Sequence, residues 1–292
     1  MAQPPHPSAA TGILLMVTAF ALFSLLDASA KHLVGQLPPG VVVAGRYGMG
    51  VVAIVALGWP LWKGAMWRTA HLRLQVLRGA LMTLATLLNF IAVKYLQLAQ
   101  TSAILFSAPL WVCALSPLIL GERVGWRRWA AVLAGFGGVL VVLRPGTADF
   151  HPAMFLSLGA AFVLAIYQIL TRKVGGRDAA ISSLLWSTLF GGLFSLPLLA
   201  AGAAMPHGSQ WLFLALAGLA GSAGHLLLTE AHRRADASLL APFVYSQLGW
   251  MILIGWLWFD DVPDAWTLLG ALIVAAAGLI VYHRERAAYG KA

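Results

Sequence analysis

Apolar residues run almost unbroken from Gly12 to Leu26, and the stretch closes on LLDASAKHL (25–33), where a carboxylate and an ammonium stand four residues apart. Crossing hydrocarbon as a helix takes about 20 mainly apolar residues, because every backbone N–H and C=O must find a partner without water. Ten such segments follow one another, centred on Ala21, Val51, Ala85, Pro109, Ala134, Ala161, Phe190, Leu219, Trp250 and Val274. The short alternating segments of a closed barrel are absent from the pattern. All connections are short, and several are rich in turn formers: QLPPG from Gln36, RPGTADFHP from Arg144, GGRD from Gly175 and AMPHG from Ala204. The pattern predicts an all-α polytopic membrane protein with ten transmembrane helices. The first eleven residues carry no Lys or Arg, and the segment after them is longer than a signal-peptide core, so the first helix is expected to be retained.

Composition agrees with that reading. Of 292 residues 60% are hydrophobic and 10% charged, with a mean hydropathy of +0.83, whereas soluble domains carry about a quarter of charged residues. The single cysteine, Cys113, lies in an apolar run and can form neither an internal disulfide nor a metal cluster.

A net charge of +9 and a pI near 10.2 would suit nucleic-acid binding, so the placement of the positives matters. Lys63, Arg68, Arg73, Arg78, Arg123, Arg127, Arg128, Arg172, Lys173, Arg177, Arg233, Arg234, Arg284, Arg286 and Lys291 fall on one side of the span pattern, and only Lys31, Lys94 and Arg144 on the other. Arg46 falls inside the second span. Positive residues in short loops resist translocation, so both termini are expected in the cytoplasm, in an inner (plasma) membrane of bacterial type. The basic pI is then topogenic, and the positives form no single stripe for nucleic acid.

The chain also resembles itself at half its length. AFALFSLLDASAKHL from Ala19 lines up with AFVLAIYQILTRKV from Ala161, bringing Lys31 onto Lys173. LAQTSAILFSAPLW from Leu98 parallels RADASLLAPFVYSQLGW from Arg234, and GERVGWRRWAAVLAGFGGV from Gly121 parallels FDDVPDAWTLLGALIVAAAGL from Phe259. Five spans per half is an odd number, so the second half enters the membrane from the opposite side. The expected organisation is a cytoplasmic tail over 1–11, one five-helix repeat over 12–147, an inverted second repeat over 148–283 and a cytoplasmic tail over 284–292. In transporters built this way the solute site lies near the midplane, where the copies meet. Small residues four apart, Ala44 and Gly48, Ala130, Ala134 and Gly138, and Gly218 and Ser222, suit close helix packing.

AVKYLQLAQTSAILFSAPLWVCALSPLILGERV (92–124) and RADASLLAPFVYSQLGWMILIGWLWFDDVPDAWTLLGALIVAAAGL (234–279) resemble the matching blocks of the two halves of EamA-type ten-helix proteins in the drug/metabolite transporter superfamily. The resemblance implies a carrier of small metabolites, mostly outward, with amino acids and purines among the solutes. The family's Gly-Glu after the ninth span is kept as Gly121-Glu122 in the first half and reads Phe259-Asp260-Asp261 in the second. Glu122 and Asp260 or Asp261 are carried over as helix-end acids, which suit the dipole of a following helix.

Ionisable groups at membrane depth cost about 2.5 to 3.5 kcal/mol on insertion scales, so each is a site candidate. Asp27 lies six residues before Leu33, and Arg46 six after Gly40, at similar depth on adjacent antiparallel helices. The simplest expectation is a buried Asp27–Arg46 pair beside an outward-opening cavity, with Lys31 as a second partner for Asp27. A zwitterionic solute would use both charges, amine on Asp27 and carboxylate on Arg46. Nearer the midplane stand Asn89, Ser107, Trp111, Tyr167, Gln168, Trp186, His225, Tyr245 and Gln247, a set of rings, amides and hydroxyls that suits a semi-polar metabolite. Thr86, Ser187 and Ser246 accompany them. Pro109 and Pro242 are expected to break helical bonding and free carbonyls toward the cavity. His225 is the group most apt to titrate near neutral pH and hence a candidate for proton coupling.

Gly221-Ser222-Ala223-Gly224-His225 places serine and histidine on one helix three residues apart, with no other intramembrane histidine as base, so no catalytic residues are expected. No phosphate loop or zinc motif is present, so no cofactor, metal site or ATP-driven pump is expected. The sequence reads as a secondary transporter, most simply an exporter of amino acids including aromatic and hydrophobic ones, working by alternating access. The alternatives are a carrier of purines, nucleoside-like or S-adenosylmethionine-like solutes, and a channel-like facilitator. Its expected partners are a small solute and the lipid bilayer, with protons as a candidate coupling ion, no nucleic acid, and a monomeric state.

Overall fold

A computed structural model describes residues 7–121, 124–174, 178–200, 202 and 204–289. Every regular element among them is helical: α1 (Pro7–Val34), α2 (Pro39–Trp62), α3 (Leu72–Tyr95), α4 (Leu98–Leu105), α5 (Ala108–Leu120), α6 (Trp126–Leu143), α7 (Ala153–Val174), α8 (Ala180–Ala200), α9 (Gln210–Arg234), α10 (Ala237–Leu240), α11 (Ser246–Phe259) and α12 (Ala265–Tyr289). Among the described residues nine segments are long and apolar enough to cross a membrane, with α4 and α5 counted as one stretch from Leu98 to Leu120. The remaining span runs from Ala237 to Phe259 and is divided into α10, a 3-10 turn over Ala241–Tyr245 and α11.

The two divided spans hold matching places in the two halves. Pro109 at the start of α5 and Pro242 inside the 3-10 turn each lack an N–H to continue a helix. The breaks meet across the protein, with the rings of Phe106 and Tyr245 edge to face at 5.0 Å. Gly278 on α12 leaves room for this, since a Cβ there would strike the Tyr245 hydroxyl.

Helix partners repeat under exchange of the halves. α1 packs on α9 as α7 packs on α3, α1 on α11 as α7 on α5, and α2 on α9 as α8 on α3. The pairs α2 with α8, α4 with α11 and α6 with α12 cross between the halves. That pattern is what two five-span units related by an axis in the membrane plane produce.

Glycines set the closest approaches. A Cβ on Gly218 of α9 would lie 2.5 Å from the Met49 Cβ and 2.7 Å from the Gly50 nitrogen of α2, and the Ser222 hydroxyl donates to the Gly50 carbonyl at 3.1 Å. A Cβ on Gly270 of α12 would lie 2.7 Å from the Gly138 carbonyl of α6. Gly48 differs from expectation, since open space surrounds it. Large apolar side chains such as Leu14, Leu118, Leu133, Leu212 and Leu272 point outward, as a lipid-facing surface requires.

Candidate functional site

With ten spans, the start of α1 and the end of α12 lie at one face, the terminal face; the other is the distal face. A cavity of about 660 Å³ lies between the halves. Its lining includes Thr171, Asp178, Ala180, Ser183 and Thr229, which stand at or near the terminal ends of α7, α8 and α9, and it reaches inward to Asp27, Arg46 and Asn89. It therefore opens at the terminal face and is blind toward the distal face, opposite to the outward-opening cavity expected from the sequence if the terminal face is cytoplasmic.

At the blind end, Asp27 on α1 lies seven residues, about 10 Å, from the distal end of its helix at Val34, and Asn89 on α3 six residues, about 9 Å, from Tyr95. The Asn89 amide donates to Asp27 Oδ1 at 3.1 Å, and the Asn89 carbonyl oxygen is buried without a partner. Arg46 on α2 donates from Nη1 to the Thr86 hydroxyl at 3.3 Å and lies over the Tyr47 ring at 4.7 Å. Its Nε is buried without a partner. Asp27 and Arg46 are both 8% exposed, yet they do not form the expected ion pair: no N···O contact within 4.0 Å joins them. The reason is local, since Asn89 and Thr86, one turn apart on α3, hold the two charges separately. Gly221 on α9 gives Arg46 its space, with the guanidinium 3.5 Å from where a Cβ would stand.

Phe20, Phe23, Leu26, Met82, Phe106, Leu164, Tyr167, Val244 and Tyr245 form the walls, with Gln168 and Gln247 as amides and His225 edge to face with Phe23 at 4.9 Å. Gly224 admits the Phe23 ring, which would lie 2.7 Å from a Cβ. Asp27, Arg46, Asn89, Tyr167, Gln168, His225, Tyr245 and Gln247 thus share one cavity. Ser107, Trp111 and Trp186 fall outside it. Ser107 is buried at the α4–α5 break with its hydroxyl unpartnered, Trp111 packs between Phe136 and Phe162, and Trp186 donates to the Trp67 carbonyl at 3.2 Å and stacks on Phe190. For the two tryptophans local packing sets this outcome: the Trp111 indole lies between α6 and α7, and the Trp186 indole against Phe190 and the Trp67 carbonyl.

Arg78 was grouped by sequence with the loop cations, but it is 3% exposed and lines the cavity. It donates to Tyr167 Oη at 2.9 Å, to the Thr171 hydroxyl at 3.1 Å and to Gln75 Oε1. Gln75 in turn donates to Asp178 at 2.9 Å, and Asp178 also accepts from the Ala70 N–H at 2.7 Å and the Thr69 hydroxyl. Partial burial of Asp178 acts to raise its pKa, but these bonds outweigh it and hold the carboxyl below its ordinary value.

The distal side is closed by contacts between the halves. Lys31 Nζ lies 2.6 Å from Asp261 and donates to the Leu96 carbonyl at 2.8 Å, so its partner is Asp261 rather than Asp27. Gln97 donates to the Val262 carbonyl at 3.4 Å and Gln210 to Gln36 at 3.0 Å. Arg144 bridges Asp149 and Asp264. The helix-end acid of α12 is Asp264, which accepts the Thr267 N–H at 2.7 Å, rather than Asp260 or Asp261. Glu122 lies outside the described residues. Among the described residues no cluster of three or more metal-ligating side chains occurs.

Comparison with known proteins agrees with this architecture. The chain is 32% identical over 267 residues to a riboflavin transporter of Vibrio cholerae, covering 90% of each chain. It is 26% identical to an S-adenosylmethionine uptake transporter of Rickettsia felis, covering 96% of this chain and 95% of that one. To the pseudopaline exporter CntI of Pseudomonas aeruginosa it is 24% identical, covering 91% and 94%. A solved crystal structure shares the fold with a TM-score of 0.65 at 18% identity, over 95% of this chain and 98% of that one. The EamA-like transporter family matches residues 10–144 and 151–282, one block in each half. The chain is therefore a member of the EamA-like transporter family, a multi-pass protein of a bacterial-type inner membrane that moves small metabolites.

Proposed function

We propose that this transporter is a secondary carrier for a conjugated heterocyclic metabolite of the flavin or adenosyl class, which it passes across the membrane by alternating access. The reading rests on the cavity of about 660 Å³, walled by Phe20, Phe23, Phe106, Tyr167 and Tyr245 and ending in Asp27, Asn89 and Arg46. Such a volume suits a drug-sized ligand, for which cavities of about 300 to 1,000 Å³ are usual. Aromatic walls stack on a planar ring, while the Asn89 amide and the Arg46 guanidinium in the cavity lining suit its hydrogen-bonding edge. The riboflavin and S-adenosylmethionine carriers among its relatives support the same class of solute.

Export of amino acids is the second reading, and a particular observation favours it: Asp27 and Arg46 stand at one end of the cavity with no ion-pair contact between them. They would take the ammonium and carboxylate of a zwitterion separately. With the terminal face cytoplasmic, as the Lys and Arg distribution supports, the conformation described here receives solute from the cytoplasm. Closure of the terminal side and release of the distal contacts then delivers it outward, and the reverse order serves uptake.

Purified protein in proteoliposomes, offered labelled riboflavin, S-adenosylmethionine, phenylalanine and adenine, tests the proposal. Saturable flux of a heterocyclic solute, accelerated by unlabelled solute on the far side, is expected. Saturable flux of phenylalanine alone would favour the amino-acid reading, and flux linear in concentration would favour a pore.

A further inference from the structure

We propose that Arg78 is an anion subsite at the mouth of the cavity, so that the transported solute carries a carboxylate or phosphate on the end facing the terminal side. This deepens the carrier reading and rests on it.

Arg78 is a buried cation among neutral acceptors. Its three bonds go to a phenol, a hydroxyl and an amide carbonyl, and the Tyr167 ring lies under the guanidinium at 4.8 Å. Among the described residues no carboxylate approaches it within ion-pair distance; Asp178 is reached only through Gln75. A guanidinium has five N–H donors, so one on each terminal nitrogen remains for a further partner. A buried charge without a counter-charge is costly, and a guanidinium in this state is suited to a planar or tetrahedral oxyanion that two N–H groups grip together. Lysine or arginine side chains that serve only topology lie in water at the membrane surface, whereas this one is held inside by three polar side chains.

Position defines the solute further. Arg78 and Asn89 lie on the same helix, eleven residues apart, which places the anion subsite about 16 Å from the Asp27–Asn89 end along α3. Thr86, which holds Arg46, lies eight residues or about 12 Å away. The aromatic walls occupy the interval. An elongated solute with a polar edge at Asp27 and Asn89, a flat middle and an anionic tail at Arg78 satisfies all three regions at once.

Matched solutes separate the anion from the rest of the molecule: riboflavin against riboflavin 5′-phosphate, and S-adenosylmethionine against its decarboxylated analogue. Equilibrium binding to the purified transporter is expected to favour the anionic member of a pair by about tenfold to a hundredfold, the range of a charge-assisted hydrogen bond. Which pair shows it distinguishes phosphate from carboxylate. In Arg78→Gln that preference should vanish, the two members of a pair binding alike, and Arg78→Lys should restore part of it. Gln75→Glu combined with Asp178→Asn, which gives Arg78 a carboxylate of the protein's own and leaves an amide to donate to it where Gln75 donated to Asp178, should lose the preference too. Equal binding of both members by the wild type, or a preference that survives in Arg78→Gln and in Gln75→Glu with Asp178→Asn, overturns the subsite and leaves the carrier reading standing. Failure of every member to bind overturns the carrier reading for these solute classes, and the subsite with it.

Discussion

Lys31 and Asp261 join the two halves of the protein at its closed face, with 2.6 Å between ammonium and carboxylate, and Lys31 stands one helical turn beyond Asp27 at the floor of the cavity. The residue that seals the distal side is thus on the same short stretch of α1 as the carboxylate that a solute reaches. Opening that side requires Lys31 to leave both Asp261 and the Leu96 carbonyl.

Breaking this bridge should shift the protein toward a distal-open state. The pair is partly exposed, so its worth is about 1 kcal/mol or less, a change of up to about fivefold in population. Spin labels on Gly35 and Val262, measured by pulsed dipolar spectroscopy, should show a single short distance in the wild type. Lys31→Ala or Asp261→Asn should add a longer one, and the exchanged pair Lys31→Asp with Asp261→Lys should suppress it. Identical distance distributions in all four proteins would assign closure to other contacts.

Asp27 and Arg46 allow a clean separation of binding from structural support. Asp27→Asn removes the charge and keeps a side chain that can bond to Asn89, so solute affinity is expected to fall about tenfold or more, with the thermal midpoint in detergent unchanged or raised. A lowered midpoint with unaltered affinity would make the carboxylate a packing element alone.

Gly218 and Gly270 sit where backbones touch, and neither site has room for a methyl group without movement. Gly218→Ala and Gly270→Ala should each destabilise by about 1 to 3 kcal/mol, read from unfolding in a fixed detergent. Gly48→Ala, which meets open space, should leave stability nearly unchanged.

Asp178 carries a pH dependence with a fixed sign. Its carboxyl sits below the ordinary value of 3.8 in the folded protein, so the stability it contributes is present above that value and disappears as pH falls through the folded pKa. Asp178→Asn should therefore lower the melting temperature at neutral pH and weaken the loss of stability on acidification below about pH 4. A wild-type and variant pair with parallel melting curves across that window would deny Asp178 this role.

The span pattern was legible because the bilayer imposes a single length and polarity on every segment. It extended even to the span from Ala237 to Phe259, whose regular helix is short once the 3-10 turn is removed. Asp27 and Arg46 were legible for the same reason, as charges where charge is expensive. Their partners were not, because Asn89 and Thr86 come from a third helix and only the packing of α3 brings them near. Arg78 was misread since it follows Arg68 and Arg73 along a cytoplasmic-type connection, and its burial depends on Tyr167 and Thr171 of the other half. Trp111 and Trp186 stand at the expected depth, but depth alone does not specify the side of a helix. The direction in which the cavity opens depends on contacts between residues as distant as Lys31 and Asp261.

The most direct test uses a single reporter cysteine at Ala85, midway along α3 in the cavity wall, in a Cys113→Ala background. Membrane-impermeant thiol reagents are applied from one face at a time to vesicles of known orientation. The wild-type conformation should label from the terminal face and hardly at all from the distal face, with distal labelling rising and terminal labelling falling when Lys31→Ala releases the bridge. Equal labelling of the wild type from both faces, with no reciprocal change in Lys31→Ala, would mean a continuous pore and contradict alternating access.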